Sequence, residues 1–340
     1  MNSIILLTDY QNRFSTKIPA TPHSSGMDKE LLEMEFLKFG YEIFYQKYTE
    51  IDFRNFNYKN KLILYTSSSD PNLLYKNFIE DIILGLDYQG AIVIPEYKFL
   101  RAHHNKVFME ILRDLSNFEK AKNISSKYFG TFEDLVNYKK INTYGVYKTA
   151  AGSGSKGVNK YNSIKELLSV AKKLGRSRSY MFELRELLRT LRYKGYMSSS
   201  LYRRKFVLQN FIPALDKDWK ILIFGQKYYV LERSVRKNDF RASGSGIFKF
   251  TTVLPEGILD FAKDFYESMR IPFLSLDIAF DGTVYYIIEF QAVYFGTLAL
   301  TTSPFYFIKN NKTWNIINEK SVLETVFAES IVNYLNVCNL

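Results

Sequence analysis

The sequence predicts a mixed α/β protein of the α+β kind, in which alternating strands and helices are followed by antiparallel strands. Three observations support this fold class. Strand-like and helix-like segments alternate over residues 1–100, a strand leads into a glycine-rich loop near residue 150, and apolar strand-like segments dominate after residue 206. Alternating strands and helices form a sheet covered by helices, whereas successive strands joined by tight turns form antiparallel sheets.

Residues 1–101 are expected to form a β/α domain. Its predicted strands are Ile4–Leu7, Lys61–Thr66 and Ala91–Ile94. A helix is predicted over Asp28–Phe39, where Gly40 ends it. Pro71 can begin a second helix, because proline is tolerated in the first helical turn.

Residues 102–205 are expected to form a central unit. An amphipathic helix is predicted over His103–Leu115, and we interpret the two histidines at its start as packing or capping groups. The next predicted elements are the strands Tyr144–Lys148 and Gly157–Tyr161 and a helix from Ser163 to Leu174. A basic segment completes this unit.

Residues 206–340 are expected to form a unit rich in antiparallel strands. The predicted strands are Val207–Ile212, Lys220–Gly225, Lys227–Val235, Leu274–Phe280 and Val284–Ala292. Helices are predicted over Gly257–Met269 and Ser321–Leu335. Turn signals such as Asp281-Gly282 separate some of the strands.

Composition excludes several classes of protein. The 340 residues contain one cysteine, Cys338, so a disulfide within the chain is impossible and a cysteine-based zinc site is disfavoured. No apolar run reaches the ~18 residues that span a bilayer. The first residues lack the basic start of a signal peptide. These features predict a cytoplasmic protein without a transmembrane segment.

The positive charge is concentrated in one segment. Residues 172–205 hold eleven Lys and Arg against two acids, so they carry +9 of the total net charge of +11. In the predicted helix, Arg185, Arg189 and Arg192 lie on one face, and leucines lie on the other. The segment is either a solvated helix or a docking surface for an anionic substrate. Nucleic acid and an anionic membrane surface also fit the charge, although no nucleic-acid motif is present, so no nucleic acid is predicted.

The glycine loop contains Gly152, Gly154 and Gly157 in the spacing G-x-G-x-x-G. A dinucleotide-binding loop would open directly into a helix, whereas here a strand follows. A protein kinase needs a downstream His-Arg-Asp motif, but all three histidines lie upstream, and no Walker A lysine is present. What remains is a hairpin loop that closes over phosphates beside Lys148, or a flexible hairpin with a solvated lysine.

Three polar residues interrupt the apolar strands near Asp281-Gly282. Asp277 and Glu289 are flanked by apolar residues, and Gln291 shares a strand face with Glu289. Buried carboxylates need partners, and an oxygen cluster of this kind suits Mg²⁺. A two-residue turn would place Asp277 on the opposite face from Glu289. The metal hypothesis therefore predicts an odd-length turn or a β-bulge, and the alternative is a hairpin with solvent-facing acids.

Two arginines complete the candidate set. Arg233 lies on a predicted strand, and Arg241 lies in a loop with Ser243 and neighbouring glycines. The guanidinium fork suits phosphoryl oxygens. Taken alone, both could be surface arginines.

In this order the residues resemble the ATP-grasp superfamily, and within it the carboxylate–amine ligases of the ribosomal-protein glutamate ligase type. The matching motifs are Lys148 before AAGSGSKG, Gln209–Ile212, Asp218-Trp219-Lys220, Asp239-Phe240-Arg241-Ala242-Ser243, and Asp277 with Glu289-Phe290-Gln291. Their order and spacing agree from Lys106 to about Gly296. The motifs AHHNK, NDFRASGSG and EFQAVYFGT are also similar to ATP-grasp proteins encoded with capsule or other surface-polysaccharide genes.

The resemblance implies an ATP-grasp fold. Residues 1–101 would form a β/α pre-grasp domain, residues 102–205 a small central lid subdomain, and residues 206–340 a carboxyl-terminal antiparallel β-sheet subdomain. ATP would lie between the two sheets of the last two units. Dimers are common in the resembled family, so a homodimer is an open expectation.

The resemblance also implies residue roles. ATP would contact Lys106, Lys148, Gly152, Ser153, Gly154, Ser155, Gln209, Asn210, Phe211, Ile212 and Asp218. Mg²⁺, as two ions, would be held by Asp277, Glu289 and Gln291, with Glu289 able to bridge them. Arg233 and Arg241 would face the transferred phosphoryl group. Two departures stand out: Lys220 replaces a frequent arginine, and Gln291 replaces the usual asparagine.

The implied reaction joins a carboxylate to an amine through an acyl-phosphate formed from ATP. The carboxylate substrate would be a small or polymeric anion such as a sugar acid, a surface polysaccharide or a peptide. The alternatives are an ATP-grasp kinase that phosphorylates a hydroxyl and a non-catalytic scaffold that binds polyanions. Peripheral membrane association is a further open expectation for the basic segment.

Overall fold

The computed structural model describes residues 2–15, 17, 26–152, 157–177, 179–213, 215–236 and 239–340. These residues form three β-sheets with helices between and around them. Predicted residues Ser153, Gly154 and Ser155 lie outside the described residues.

The first sheet is parallel and has the strand order β2-β1-β3-β4. Its strands are β1 (Asn2–Thr8), β2 (Tyr41–Lys47), β3 (Leu62–Leu64) and β4 (Ile92–Ile94). The helices of this region are α1 (Lys29–Leu37), α2 (Leu74–Tyr88) and α3 (Tyr97–Ala102). Strand β2 was not predicted, because its sequence YEIFYQK mixes polar and aromatic residues and only Tyr41 is fully buried.

The second sheet is small and antiparallel, with the order β5-β8-β6-β7. Its strands are β5 (Ser126–Phe129), β6 (Gly145–Thr149), β7 (Val158–Tyr161) and β8 (Phe206–Gln209). The helices of this part of the chain are α4 (Lys106–Asp114), α5 (Phe132–Asn137), α6 (Ile164–Gly175) and α7 (Tyr180–Arg192). Strand β8 pairs with this sheet, so sheet membership changes after Gln209, a few residues beyond the division expected at residue 206.

The helix predicted from His103 begins instead at Lys106. His104 adopts a left-handed backbone conformation with φ 52°, which breaks the helical path after α3. Asn105 then caps α4, since its side-chain oxygen accepts a hydrogen bond from the Phe108 N–H at 3.4 Å. The two histidines therefore occupy the corner between α3 and α4.

The third sheet is antiparallel and has seven strands in the order β13-β12-β9-β10-β14-β15, with β11 beside β10. Its strands are β9 (Lys217–Phe224), β10 (Lys227–Ser234), β11 (Phe248–Phe250), β12 (Phe273–Phe280), β13 (Tyr285–Gln291), β14 (Tyr306–Asn310) and β15 (Thr313–Ile317). The helices are α8 (Ile258–Met269), α9 (Leu298–Thr302) and α10 (Leu323–Cys338). The hairpin β14–β15 was not predicted.

Two of the hydrophobic cores join the first and third sheets. One packs Leu7 and Ile63 with Trp219 and Ile221, and the other packs Ile4 and Leu6 with residues of β9, β12 and α10. The small sheet has a separate core with α5 and α6. The cleft between the small sheet and the seven-stranded sheet is thus bordered by units with independent cores. Among the described residues, no helix is long and apolar enough to cross a bilayer.

Candidate active site

A cavity of about 340 Å³ lies in the cleft between the small sheet and the seven-stranded sheet. It is lined by all thirteen described residues that the sequence singled out. These are Lys106, Lys148, Gly152, Gln209, Asn210, Phe211, Ile212, Asp218, Arg233, Arg241, Asp277, Glu289 and Gln291. Residues spread over 186 positions of the chain, from 106 to 291, therefore meet at one site.

Strand pairing brings the charged residues of this site together. Asp277 on β12 lies opposite Lys220 of β9 on one side and Glu289 of β13 on the other. On the next strand pair, Asp218 of β9 lies opposite Arg233 of β10. Directly paired side chains share one face of a sheet, so these five residues point into the same cleft.

A β-bulge is required for Asp277 to face Glu289. The turn pairs Phe280 with Tyr285, a four-residue loop that would by itself place Asp277 opposite Ile288. The register shifts by one residue between Asp277 and Ile278, and Asp277 then pairs with Glu289. An extra residue in one strand moves the following side chains to the other face. The bulge predicted by the metal hypothesis is confirmed.

Arg233 holds two buried carboxylates at once. Its Nε and Nη2 donate to Asp218 Oδ1 and Oδ2 at 2.6 and 2.9 Å, and its Nη2 also lies 2.9 Å from Asp277 Oδ2. Lys220 Nζ lies 3.3 Å from Asp277 Oδ1 and donates to Ser275 Oγ at 2.8 Å. The cluster is thus paired and hydrogen-bonded, as burial of charge requires.

The two aspartates of this cluster titrate in opposite directions. Burial raises the pKa of Asp218, and the nearby negative charge of Asp277 adds to the rise despite Arg233. Burial also works to raise the pKa of Asp277, but Arg233 and Lys220 outweigh it and hold that pKa below its usual range. Of these two aspartates, Asp277 therefore stays ionised over the wider pH range, which suits a cation ligand.

Two lysines lie near the predicted phosphate region. Lys106 Nζ donates to the Gly152 carbonyl at 2.9 Å and lies 3.8 Å from Glu289 Oε1. Lys148 Nζ donates to the Ile288 carbonyl at 3.5 Å. Burial lowers the pKa of Lys148, although Glu110 and Glu289 oppose that change. Both cations thus reach strand β13 from the opposite side of the cleft.

The glycine loop is anchored at both ends. The Thr149 N–H donates to the Gly157 carbonyl at 3.0 Å, and the Lys106 N–H donates to the Ala150 carbonyl at 2.9 Å. Gly157 has φ +81°, and a Cβ there would collide with Thr149 Oγ1, so this position needs glycine. Residues 149, 150 and 157, at the two ends of the loop, are therefore fixed by backbone hydrogen bonds.

Arg241 lines the cavity next to strand β7. Its Nε and Nη2 both lie 2.9 Å from the carboxylate oxygens of Asp239, and its Nη1 donates to the Val158 carbonyl at 3.4 Å. The guanidinium of Arg241 lowers the pKa of Asp239 to about 2. The fork is therefore positioned by Asp239 while still lining the cavity.

Apolar side chains also line the cavity. They include Val146, Ile212, Leu215 and Phe290, and the lining also contains residues 209–212, where β8 ends. Apolar walls next to backbone N–H and C=O groups suit a flat heteroaromatic ring such as adenine.

Sequence reasoning missed a buried ion pair beneath Lys148. Arg113 and Glu110 of α4 are paired, and Gln209 Nε2 donates to Glu110 Oε1 at 3.1 Å. Arg113 also donates to Ser126 Oγ at 3.1 Å and to the Ile287 carbonyl at 3.4 Å. The spacing of Lys106, Glu110 and Arg113 places them on one helix face, which was the available signal.

The predicted metal residues form a small set of oxygen donors. Gln291 Nε2 donates to Glu289 Oε1 at 3.0 Å. Within the described part of the chain, no three His, Cys, Asp or Glu side chains converge in the manner of a preformed metal centre. Two carboxylates and an amide fit Mg²⁺, because this ion takes few protein ligands and completes its shell with phosphate and water.

A second cavity of about 440 Å³ lies at the carboxyl ends of β1 and β3. Asp9, Tyr10 and Arg13 follow β1, residues 66–70 follow β3, and Tyr294 closes the cavity from the carboxyl-terminal unit. These two strands are neighbours at the position where the strand order reverses direction, the usual place for ligands in open α/β sheets. Among the described residues, the buried Thr66 Oγ1 has no hydrogen-bond partner.

The two histidines lie between the two cavities. His103 Nδ1 lies 2.7 Å from Ser67 Oγ, and its ring packs 5.4 Å from that of Tyr294. His104 Nε2 lies 2.9 Å from Ser69 Oγ. Burial, with a contribution from His104, lowers the pKa of His103 well below its usual value, so its imidazole is neutral at pH 7.

Sequence comparison finds no matching protein family and no matching curated protein. Comparison of the structure finds solved ATP-grasp ligases. The D-cycloserine synthetase DcsG is 12% identical, with a TM-score of 0.55 over 98% of this chain and 100% of that one. The D-alanine–D-alanine ligase of Bacillus anthracis is 14% identical, with a TM-score of 0.53 over 100% and 99% of the two chains.

A RimK-domain ATP-grasp protein from Sphaerobacter thermophilus is 12% identical, with a TM-score of 0.51 over 97% of this chain and 99% of that one. At such low identity the likeness establishes the fold alone. The chain has the ATP-grasp fold over nearly its full length, which confirms the predicted fold class and the fold that the resemblance implied. The B. anthracis ligase has also been solved with ATP, and the ATP-grasp ligase PsnB with Mg and ADP.

Proposed function

We propose that the protein is an ATP-dependent ligase that joins a carboxylate to an amine. The supporting observation is the convergence of Lys106, Lys148, Asp277, Glu289 and Arg241 on one cavity between the two sheets of an ATP-grasp fold. We also propose that the three units, near residues 1–101, 102–205 and 206–340, act as pre-grasp domain, lid subdomain and carboxyl-terminal subdomain.

ATP would lie with its adenine against apolar residues of the cavity lining and its phosphates near the lysines. The backbone of residues 209–212 would contact the adenine, and Asp218 would face the ribose side. Lys106 and Lys148 would neutralise the phosphates, with the glycine loop of residues 150–157 above them. Excluding water under this loop would protect a reactive intermediate from hydrolysis.

Asp277, Glu289 and Gln291 would hold Mg²⁺, and we propose two ions because three oxygen-bearing side chains adjoin one another on β12 and β13. The metal would supply charge neutralisation on the phosphates. The Gln291 amide now donates to Glu289, so its side chain must rotate to present the amide oxygen to a cation. Arg233, which is paired with Asp218 and Asp277, and Arg241 would face the transferred phosphoryl group.

The reaction would have two steps. A carboxylate oxygen of the acid attacks the γ-phosphorus of ATP. The bond between this phosphorus and the β–γ bridging oxygen breaks, so ADP leaves and the acyl-phosphate is formed. The amine nitrogen then attacks the acyl carbon, phosphate departs with the electrons of the carbon–oxygen bond, and the nitrogen loses a proton to water. Phosphoryl transfer depends on positioning and charge neutralisation, which Lys106, Lys148 and Arg241 would provide.

The second cavity would receive the substrate that is joined. It contains serine and threonine hydroxyls, three tyrosines and the Asp9–Arg13 pair. A wall of hydroxyls and aromatic rings suits a polyhydroxylated molecule, so a sugar acid or a unit of a surface polysaccharide is the substrate class that we propose. Peptide substrates are the alternative, because some solved neighbours are ligases bound to precursor peptides.

The products distinguish a ligase from a kinase. We would incubate the protein with Mg²⁺-ATP, a panel of sugar acids and amino acids, and a panel of amines, and measure ADP and free phosphate together. A ligase releases one phosphate per ADP and requires both partners. ADP without free phosphate, formed with a hydroxyl compound alone, would instead establish a kinase. Glu289→Ala should abolish either activity, and Glu256→Ala, a glutamate outside the cavity, should not.

A further inference from the structure

Helix α7 exposes its leucines to solvent. Leu184, Leu187, Leu188 and Leu191 follow the spacing i, i+3, i+4 and i+7, so they form one stripe along the helix. Their exposed fractions lie between 50% and 76%, and Met181, one turn before them on the same face, is 64% exposed. Of the thirteen residues of α7, Glu186 is the buried one. We call these four leucines and Met181 the leucine stripe.

The orientation of α7 is held by polar contacts at its back. Glu186 accepts hydrogen bonds from the Ser199 N–H at 2.7 Å and from the Tyr196 hydroxyl at 3.0 Å. Arg176 pairs with Glu183 at 2.7 Å. Residues before and after α7 therefore hold the helix face that carries the two glutamates. The leucine stripe, on another face, points into solvent.

The neighbouring helix α6 shows the usual arrangement. It buries Leu167 and Ala171 against the small sheet and keeps Lys172 and Lys173 in solvent. The two helices follow each other in the chain and have similar amphipathic patterns. Because soluble proteins rarely expose such contiguous apolar stripes, the stripe of α7 indicates a surface that binds something.

Charge selects the partner of this surface. Residues 172–205, which contain α7, carry a net charge of +9. Arg185 and Arg192 lie one position beyond Leu184 and Leu191, so cations flank the leucine stripe. A second copy of the chain would bring the same positive charge against it, which is unfavourable. Nucleic acid would meet the arginines but would leave the leucines in water.

We propose that α7 lies on an anionic membrane surface, with the leucine stripe in the headgroup–acyl boundary and the flanking basic residues on anionic lipid headgroups. A helix with an apolar face, a basic polar face and aromatic residues at its ends lies in the plane of the interface. Tyr180 and Tyr193 stand at the two ends of α7. The protein then binds the bilayer surface without spanning it.

The test is flotation of the full-length protein with two kinds of vesicle, one of phosphatidylcholine and one that also contains phosphatidylglycerol. Wild-type protein should float with the anionic vesicles and not with the neutral ones, and added salt should weaken the binding. Replacing both Leu187 and Leu191 by Gln should reduce the bound fraction about tenfold or more, because the apolar contact is lost. Arg185→Gln with Arg192→Gln should reduce it to a similar degree, on the order of tenfold.

Matched controls separate the stripe from general effects. Leu115→Gln changes an exposed leucine elsewhere, and Lys139→Gln with Lys140→Gln removes two exposed cations outside the segment. Both controls should float like wild type. Absence of wild-type flotation, or equal flotation of the leucine variant, would overturn the proposal. If sedimentation velocity showed that the wild type is a dimer and the leucine variant a monomer, the proposal would also be wrong, because a second copy would then cover the leucine stripe. Binding of an acidic peptide by protein that binds no vesicles would likewise overturn it.

Discussion

Helices α4 and α7 both reverse the rule that apolar side chains face inward and charged side chains face water. Helix α4 turns Lys106, Glu110 and Arg113 into the protein, whereas α7 leaves its leucines outside. The buried charges of α4 are paired, and they lie beside the cavity where two sheets meet. The exposed leucines of α7 instead lie in a segment, residues 172–205, that carries a net charge of +9. Burial of charge marks a site for a charged small ligand, and exposure of apolar surface marks a site for a large partner.

Breaking the buried pair of α4 should have the largest effect on stability. Arg113→Met leaves Glu110 buried without its cation, and we expect a loss of about 3–5 kcal/mol in the free energy of unfolding. Denaturant unfolding measures it. In the double variant Arg113→Met/Glu110→Gln both charges are removed, so most of the stability should return. Equal losses in the single and the double variant would show that the ion pair is not what matters at this position.

Replacing Lys148 should change ATP affinity without lowering the stability of the protein. Lys148→Met removes a buried cation whose pKa is lowered by burial, so we expect an unchanged or higher unfolding midpoint. ATP affinity should fall about tenfold to a hundredfold, because a charged hydrogen-bond donor to the phosphates is lost. Calorimetry and thermal unfolding of the same samples test both statements. The exposed variant Lys139→Met should change neither, and undiminished ATP affinity in Lys148→Met would contradict the proposed role.

His103, just before α4, should make the stability of the protein depend on pH, with a smaller effect than the two changes above. Burial lowers the pKa of His103 in the folded protein, so the folded state binds fewer protons than the unfolded chain does. The stability that the neutral ring contributes is present above its unfolded pKa of ~6.5 and is lost as the pH falls below it. Thermal midpoints should therefore drop between about pH 7.5 and 5.5, and His103→Asn should show a smaller drop. An identical pH dependence in the variant would rule out this cause.

Changes in the leucine stripe of α7 should hardly affect the stability of the fold. Leu187→Gln with Leu191→Gln changes residues that are mostly in water, so the free energy of unfolding should stay within about 0.5 kcal/mol of wild type. Denaturant unfolding without lipid checks this. A larger loss would mean that the leucine stripe packs against protein in solution.

Much of the site could be predicted from sequence, because its residues are unusual for the elements that carry them. Asp277 and Glu289 stand out as acids in apolar strands, and the need to bring them to one face already called for a bulge. The sequence did not show that α4 buries Glu110 and Arg113, since binary patterning assigns charged helix positions to the surface. Likewise, periodicity placed leucines and arginines on separate faces of α7, but it could not say which face the rest of the fold covers.

The missed strands have similar explanations. Strand β2 lies at one edge of the parallel sheet. Its sequence YEIFYQK mixes polar and aromatic residues, so it lacks the apolar pattern that predicts a strand. Strand β15 is an edge strand of the seven-stranded sheet and β14 is its neighbour, and most residues of these two strands are at least partly exposed. Edge strands face water on more sides than central strands, and their composition is correspondingly mixed.

Calorimetric titration of Mg²⁺-ATP into wild-type protein and Glu289→Ala tests the assignment of the cavity between the two sheets to ATP. We expect saturable, Mg²⁺-dependent binding by wild type that Glu289→Ala loses, because Glu289 lies opposite Asp277 and 3.8 Å from Lys106. Thermal unfolding of both proteins establishes that the variant is folded. If wild type bound no nucleotide, or if Glu289→Ala bound Mg²⁺-ATP as tightly as wild type, the assignment of this cavity to ATP would be wrong.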